Sequence, residues 1–300
     1  MHSGMVRCLA TLVVFGFCFG GTPVQSKPPS KAPASNQPPS DSTAAGVRRD
    51  TGLTGILSEE EFKALHEKPS DKAPPARGVM VEVAGARAYL SLPEKGEPPF
   101  PGVVVIHEWW GLNDNIKHWS DRLAADGYAA LAVDLYGGKV ATNADSAMAY
   151  MKGVDPERAL RILQAAHAFL ASDSRIRATR RGCIGWCFGG GWSLQQALHT
   201  ADLDAAVVYY GFLVTDVDKL REIQCPLLGI FGNKDRSIPP SAVDEFDAAL
   251  AKAGVEHQIL RYDADHAFAN PSNPIYDQKA AVEAWLEVRA FLAGNLKTPH

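Results

Sequence analysis

Cys187 stands at the centre of Gly185-Trp186-Cys187-Phe188-Gly189-Gly190, between a strand-like run, Arg181 to Ile184, and a helix-like run, Trp192 to His199. A strand, a sharp turn and a helix with an attacking side chain at the turn form a nucleophile elbow. Serine is the usual occupant of that turn. The reversal leaves no room for a Cβ two positions either side of the nucleophile, and Gly185 and Gly189 meet that demand. A thiol attacks as thiolate and so needs an electropositive spot. The unpaired amides of Phe188 to Gly190, at a helix N-terminus, would supply one.

A nucleophile of this kind needs a base, and His266 follows the strand-like run Gln258 to Tyr262 on a loop. The other histidines fall elsewhere: His167 and His199 on helices, His257 at a strand start, His2, His66 and His300 towards the ends of the chain. An acid that orients the imidazole is expected at Asp235, in Phe231-Gly232-Asn233-Lys234-Asp235 after another strand. Asp263 and Asp265 compete by closeness in sequence, but a loop neighbour rarely folds back onto its own histidine's far nitrogen. The order nucleophile, acid, base is that of α/β-hydrolases. Glu108 follows the run Val103 to Ile106 and would lie near the sulfur. The amides of Trp109 and Phe188 fall where two oxyanion donors belong. His107-Glu108 does not open a zinc-protease motif, because the fifth position is Gly111. No other His/Cys cluster has metal spacing, and no Walker or dinucleotide-binding pattern appears, so neither metal nor cofactor is expected.

The elements that must position these residues are legible as alternating patterns. Val79 to Val83 and Ala88 to Leu92 read as a strand pair turning at Gly85. Val103 to Ile106 is a continuous β-branched run, as suits a strand buried on both faces. Ala129 to Val133, Ala205 to Tyr209, Leu227 to Phe231 and Gln258 to Tyr262 are further strands. Between them lie helical patterns. Asp155-Pro156 starts one, whose apolar stripe runs Ala159, Ile162, Leu163, Ala166, Phe169 and Leu170. Val243, Phe246, Leu250 and Ala253 form another, ended by Gly254, and Ala281, Trp285, Val288 and Leu292 the last. This alternation predicts an α/β fold: a mostly parallel central sheet with helices on both faces, in one catalytic domain over residues 77–296. Such a sheet builds its site at the carboxyl ends of its strands.

The chain is 46% hydrophobic and 21% charged with a formal net charge of -4, so it has material for a core and no basic block that would suggest a nucleic-acid partner. Residues 1–26 read as a signal peptide: Arg7 flanks an apolar run from Cys8 to Gly20, too short to span a bilayer comfortably, and Val24-Gln25-Ser26 offers a cleavage site. Export to the periplasm or medium is expected, with no stable membrane partner after cleavage; an uncleaved anchor is the alternative. Residues 27–76 have linker composition, with a short helix near 58–66 opened by Ser58-Glu59-Glu60-Glu61, and 297–300 form a tail. Cys183, Cys187 and Cys225 would remain after cleavage, without the spacing of a disulfide framework.

Five strings make the chain resemble the dienelactone hydrolase family of the α/β-hydrolases: His107-Glu108-Trp109-Trp110-Gly111, Asp134-Leu135-Tyr136, Gly185-Trp186-Cys187-Phe188-Gly189-Gly190, Gly232-Asn233-Lys234-Asp235 and His266-Ala267-Phe268. The resemblance implies Cys187 as nucleophile, His266 as base, Asp235 as its partner, and Glu108 as the group that contacts the resting thiol and helps generate thiolate. Family members that act on the dienelactone carboxylate look to use two arginines where this chain has Gly138 and Asn270. The resemblance therefore does not extend to the residues that would hold an anionic dienelactone.

The sequence is thus read as a cofactor-free hydrolase of a small carboxylic ester or lactone, working through an acyl-thioester on Cys187. Trp110, Tyr136 and Phe268 are expected to line an aromatic pocket, with Trp192 assigned to the core. Two other classes stand beside this reading: a binding protein that retains the fold without catalysis, and a thiol redox protein using Cys187. Oligomeric state is not legible.

Overall fold

The computed structural model describes Ser58 and residues 75–297; the expected signal peptide, nearly all of the linker and its short helix lie outside the described residues. The chain enters the sheet through a hairpin, β1 (Val79–Val83) and β2 (Ala86–Ser91). Its two-residue turn holds Ala84 at φ 48° and Gly85 at φ 72°, the pairing of positive φ values whose twist matches a hairpin. Then follow β3 (Gly102–Ile106), α1 (Asp114–Ala125), β4 (Ala129–Val133), α2 (Ala144–Lys152), α3 (Pro156–Ser172), β5 (Arg181–Trp186) and α4 (Phe188–His199). β6 (Ala205–Tyr209), the short α5 (Val217–Leu220), β7 (Leu227–Gly232), α6 (Pro240–Ala253), β8 (His257–Tyr262) and α7 (Gln278–Leu296) complete it.

The strands form one sheet in the order β1-β2-β4-β3-β5-β6-β7-β8. β1 and β2 are antiparallel to their neighbours, whereas β3 to β8 run parallel. Every residue of β3, β4, β6 and β7 is buried, which requires cover on both faces and explains their unbroken apolar runs. Helix ends follow local chemistry. The Asp155 carboxylate accepts from the amides of Glu157 and Arg158 at the start of α3, and Gly254 ends α6 at φ 80°.

Register sets where the site forms. Ile106 pairs with Val133 on one side and Gly185 on the other, and Trp186 pairs with Tyr209, so the carboxyl ends of β3, β4, β5 and β6 are level. Glu108, Asp134, Cys187 and Tyr210 therefore leave the sheet at one edge. Asp235 and His266 follow β7 and β8 at the same edge. Several strand ends differ from expectation by one or two residues, and one helix boundary differs by more: α4 starts at Phe188, immediately after Cys187, and not at Trp192.

Candidate active site

Cys187 occupies the turn between β5 and α4 with φ 54° and ψ -116°, a backbone region that costs a non-glycine residue on the order of 1–3 kcal/mol. Its amide donates to the Tyr209 carbonyl at 3.0 Å, and its own carbonyl accepts the first helical bond from Gly191 at 3.2 Å. These two bonds hold the turn in its strained form. A Cβ on Gly185 would overlap the carbonyl of Gly189, and one on Gly189 would overlap the carbonyls of Ile106 and His107. The requirement for glycine either side of Cys187 is thus a matter of backbone contact. It also brings the end of β3 against the start of α4.

His266 is buried, and its imidazole lies within the electrostatic reach of the Cys187 sulfur. On its other side, Nδ1 lies 2.7 Å from Oδ2 of Asp235, whose side chain has no exposed surface. Oδ1 of Asp235 accepts from the amides of Ser237 at 2.7 Å and Ile238 at 2.9 Å, which orients the carboxylate before the imidazole arrives. Burial would lower the His266 pKa, but the Asp235 charge, the Cys187 sulfur and the hydrogen bond to Asp235 hold it well above its usual range. Asp263 is exposed and pairs with Lys234 at 3.1 Å, and Asp265 is exposed, so neither competes for the imidazole.

Glu108 is 6% exposed. Oε2 accepts from the Asn270 side-chain amide at 2.5 Å, while Oε1 is enclosed with no hydrogen-bond partner among the described residues. Burial pushes its carboxyl up to about 7, against the opposing pull of His266 and of the Asn270 bond. Tyr210, at φ 34° beyond β6, packs on His266 at a ring separation of 5.2 Å. Burial is the main cause that raises its phenol, and the charges of Glu108 and Cys187 add to it.

The aromatic residues sort by position. Tyr136 packs against Phe188 at 5.3 Å, and its enclosed hydroxyl has no partner among the described residues. Burial raises its phenol, with the Cys187 charge the next cause, which puts that hydroxyl beside the sulfur's field. Tyr136 also lines a cavity of about 360 Å³ with Lys139, Tyr150 and Arg158. Trp110 is 2% exposed and packs edge-on against Trp109 at 4.9 Å. Phe268 corrects an expectation: it has no exposed surface and packs on Tyr210 and Tyr262, so it backs the site and is no wall that substrate could touch. Trp192, assigned to the core, is buried and packs on Phe188.

Burial holds the other two thiols in their protonated form: Cys183 is raised beyond the usual thiol range and bonds Ser193, and Cys225 is pushed up to about 12. Among the described residues no cluster of three or more His, Cys, Asp or Glu could hold a metal ion, and no described helix is long and apolar enough to cross a membrane. Sequence reading missed what holds Glu108. In the sequence Asn270 stands out only as a position where an arginine is absent, and Ser272, which fixes it, carries no motif.

A model of the dienelactone hydrolase family matches residues 86–296. Protein usf of Aquifex pyrophilus is 35% identical over 215 residues, covering 68% of this chain and 91% of that protein. A Methylorubrum extorquens protein provisionally described as a carboxymethylenebutenolidase is 32% identical over 213 residues, covering 66% of this chain and 73% of that one. Among solved structures, a dienelactone hydrolase-like promiscuous phosphotriesterase from metagenomic libraries matches with TM-score 0.66 and 28% identity, over 74% of this chain and 98% of that one. The chain therefore belongs to the dienelactone hydrolase family and is a hydrolase of carboxylic ester or lactone bonds on an α/β-hydrolase fold.

Proposed function

We propose that Cys187 is the nucleophile and that hydrolysis proceeds through an acyl-thioester. The observation that carries this reading is the chain of contacts from a strained elbow cysteine to His266 and on to Asp235 at 2.7 Å. His266 takes the thiol proton, and the sulfur lone pair forms a bond to the substrate carbonyl carbon. The carbonyl π pair moves onto oxygen, where the amides of Trp109 and Phe188 stabilise it. The pair then returns, the ester C–O bond breaks, and the leaving oxygen takes the proton from His266. Water attacks the thioester with His266 as base, and the acid and the free thiol are released. One well-placed oxyanion donor contributes about 3 kcal/mol to such a barrier. Glu108, whose carboxyl interacts with the charge on His266, helps generate thiolate.

The substrate class that fits is a small neutral ester or lactone with an apolar or aromatic body. Tyr136, with its partnerless hydroxyl, supplies a hydrogen bond to it, and Trp110 stands beside the Trp109 donor. Gly138 and Asn270 offer no cation for a substrate carboxylate. The test is turnover of aryl esters and simple lactones by wild type, Cys187→Ala and His266→Ala. Both variants should lose at least about a thousandfold in kcat. Undiminished turnover in Cys187→Ala sinks the mechanism, and peroxide reduction without ester turnover would favour thiol redox chemistry. Export by residues 1–26 belongs to the same proposal, on the strength of Arg7 and the apolar run after it. An intact-mass measurement on protein recovered from outside the cytoplasm checks it.

A further inference from the structure

We propose that His107 is a positioning residue that fixes the direction of the Trp109 amide, and so builds one half of the oxyanion site. This rests on the reading of Cys187 as nucleophile.

The imidazole of His107 has no exposed surface. The amide of Leu135 donates to its Nε2 at 3.2 Å. A backbone N–H can only donate, so Nε2 is an acceptor and the ring proton sits on Nδ1. Nδ1 lies 2.6 Å from the carbonyl oxygen of Glu108 and donates to it. The amide of Gly111 donates to the same oxygen at 3.1 Å. Two donors thus hold that carbonyl from the side of the loop.

A trans peptide is planar, and its C=O and N–H point in opposite directions. Holding the Glu108 carbonyl therefore aims the Trp109 N–H the other way, and the peptide cannot rotate without breaking both bonds. The Leu135 bond anchors the ring in turn to the loop after β4. Its faces are occupied as well. His107 stacks on Phe188 at 5.6 Å with planes 18° apart, and meets Tyr136 edge-on at 4.6 Å. One side chain therefore touches the residue of the second oxyanion amide while fixing the direction of the first. Burial lowers its basicity, which keeps the ring neutral and in this tautomer.

A histidine that merely fills space would affect folding and leave the chemical step alone. The two roles separate in the kinetics of His107→Leu and His107→Gln on an aryl ester, with inhibition by an aryl trifluoromethyl ketone. That ketone adds the Cys187 thiolate and places its oxyanion where the ester's would be. The leucine variant should lose about 10–100-fold in kcat with KM within about twofold, and ketone inhibition should weaken by a similar factor. Glutamine keeps one donor and one acceptor and should recover most of both. A folded leucine variant with wild-type kcat, or one that loses kcat without losing ketone affinity, overturns the proposal. Nitrogen-15 NMR of wild-type histidines needs no variant: His107 should stay neutral, with the proton on Nδ1, when the exposed histidines have become charged. A proton on Nε2 also overturns it. Cys187→Ala, assayed alongside, separates the two ideas. Turnover retained there removes the nucleophile reading, whereas an inactive Cys187→Ala beside a fully active His107→Leu removes only the role of His107.

Discussion

The side-chain amide of Asn270 donates to Oε2 of Glu108 across 2.5 Å, joining loops 162 positions apart in the chain. Its direction is fixed from behind, because Oδ1 of Asn270 accepts from the Ser272 amide at 2.9 Å and the Ser272 hydroxyl at 2.7 Å. The amide nitrogen is left to face the carboxyl. A neutral donor stabilises carboxylate less than a guanidinium would, and burial outweighs it. Glu108 is thus poised to exchange its proton near neutral pH, with His266 and Tyr210 as its titratable neighbours.

Asn270→Asp brings a second carboxyl against Glu108. Like charges in contact disfavour double ionisation, so Glu108 should hold its proton to higher pH. If turnover needs Glu108 ionised, the acid limb of kcat/KM should move up by about one pH unit. An unmoved limb would remove Glu108 from thiol activation.

Glu108→Gln tests the same carboxyl through stability. Its folded pKa lies above its unfolded one, so its stabilising share is complete below about 4.5 and is lost as pH rises through about 7. That rise, at about 1.4 kcal/mol per pH unit, is on the order of 3 kcal/mol. Urea unfolding should show the glutamine variant gaining on wild type by up to about that amount at pH ~8 and by little at pH ~4. A gap independent of pH contradicts the assignment.

Gly185→Ala would drive a Cβ into the backbone of Gly189, whereas a Cβ on Gly294 in α7 meets nothing within 4 Å. The first should cost about 3 kcal/mol or prevent folding. The second should gain about 0.5–1 kcal/mol from helix propensity. Thermal unfolding compares them directly, and equal effects would show that the elbow is not sterically set.

Strands were the easiest elements to read from the sequence, because burial on both faces demands unbroken apolar runs such as Val103 to Ile106. Cys187, His266 and Asp235 were legible because each follows a strand, and level strand ends bring such residues together. The start of α4 was not legible. Gly189 to Gly191 have poor helix propensity and read as turn, yet they are helical, and glycine is required there because β3, the Tyr209 carbonyl and the Phe212 ring approach too closely for any side chain. Phe268 looked like pocket from its place beside His266. Alternate direction of neighbouring side chains in a loop follows no period, so only packing shows that it points inward. The bonds of Asn270 to Glu108 and of Leu135 to His107 are long-range and carry no local signal at all.

The central claim, a covalent acyl-thioester, is tested most directly by intact-mass and peptide-mass measurement of enzyme quenched during turnover of a slow aryl ester. The account predicts one acyl mass added, mapped to the peptide containing Cys187, appearing before steady-state product release and absent in Cys187→Ala. An unmodified Cys187 throughout turnover, or an acyl group on another residue with turnover retained in Cys187→Ala, would contradict it.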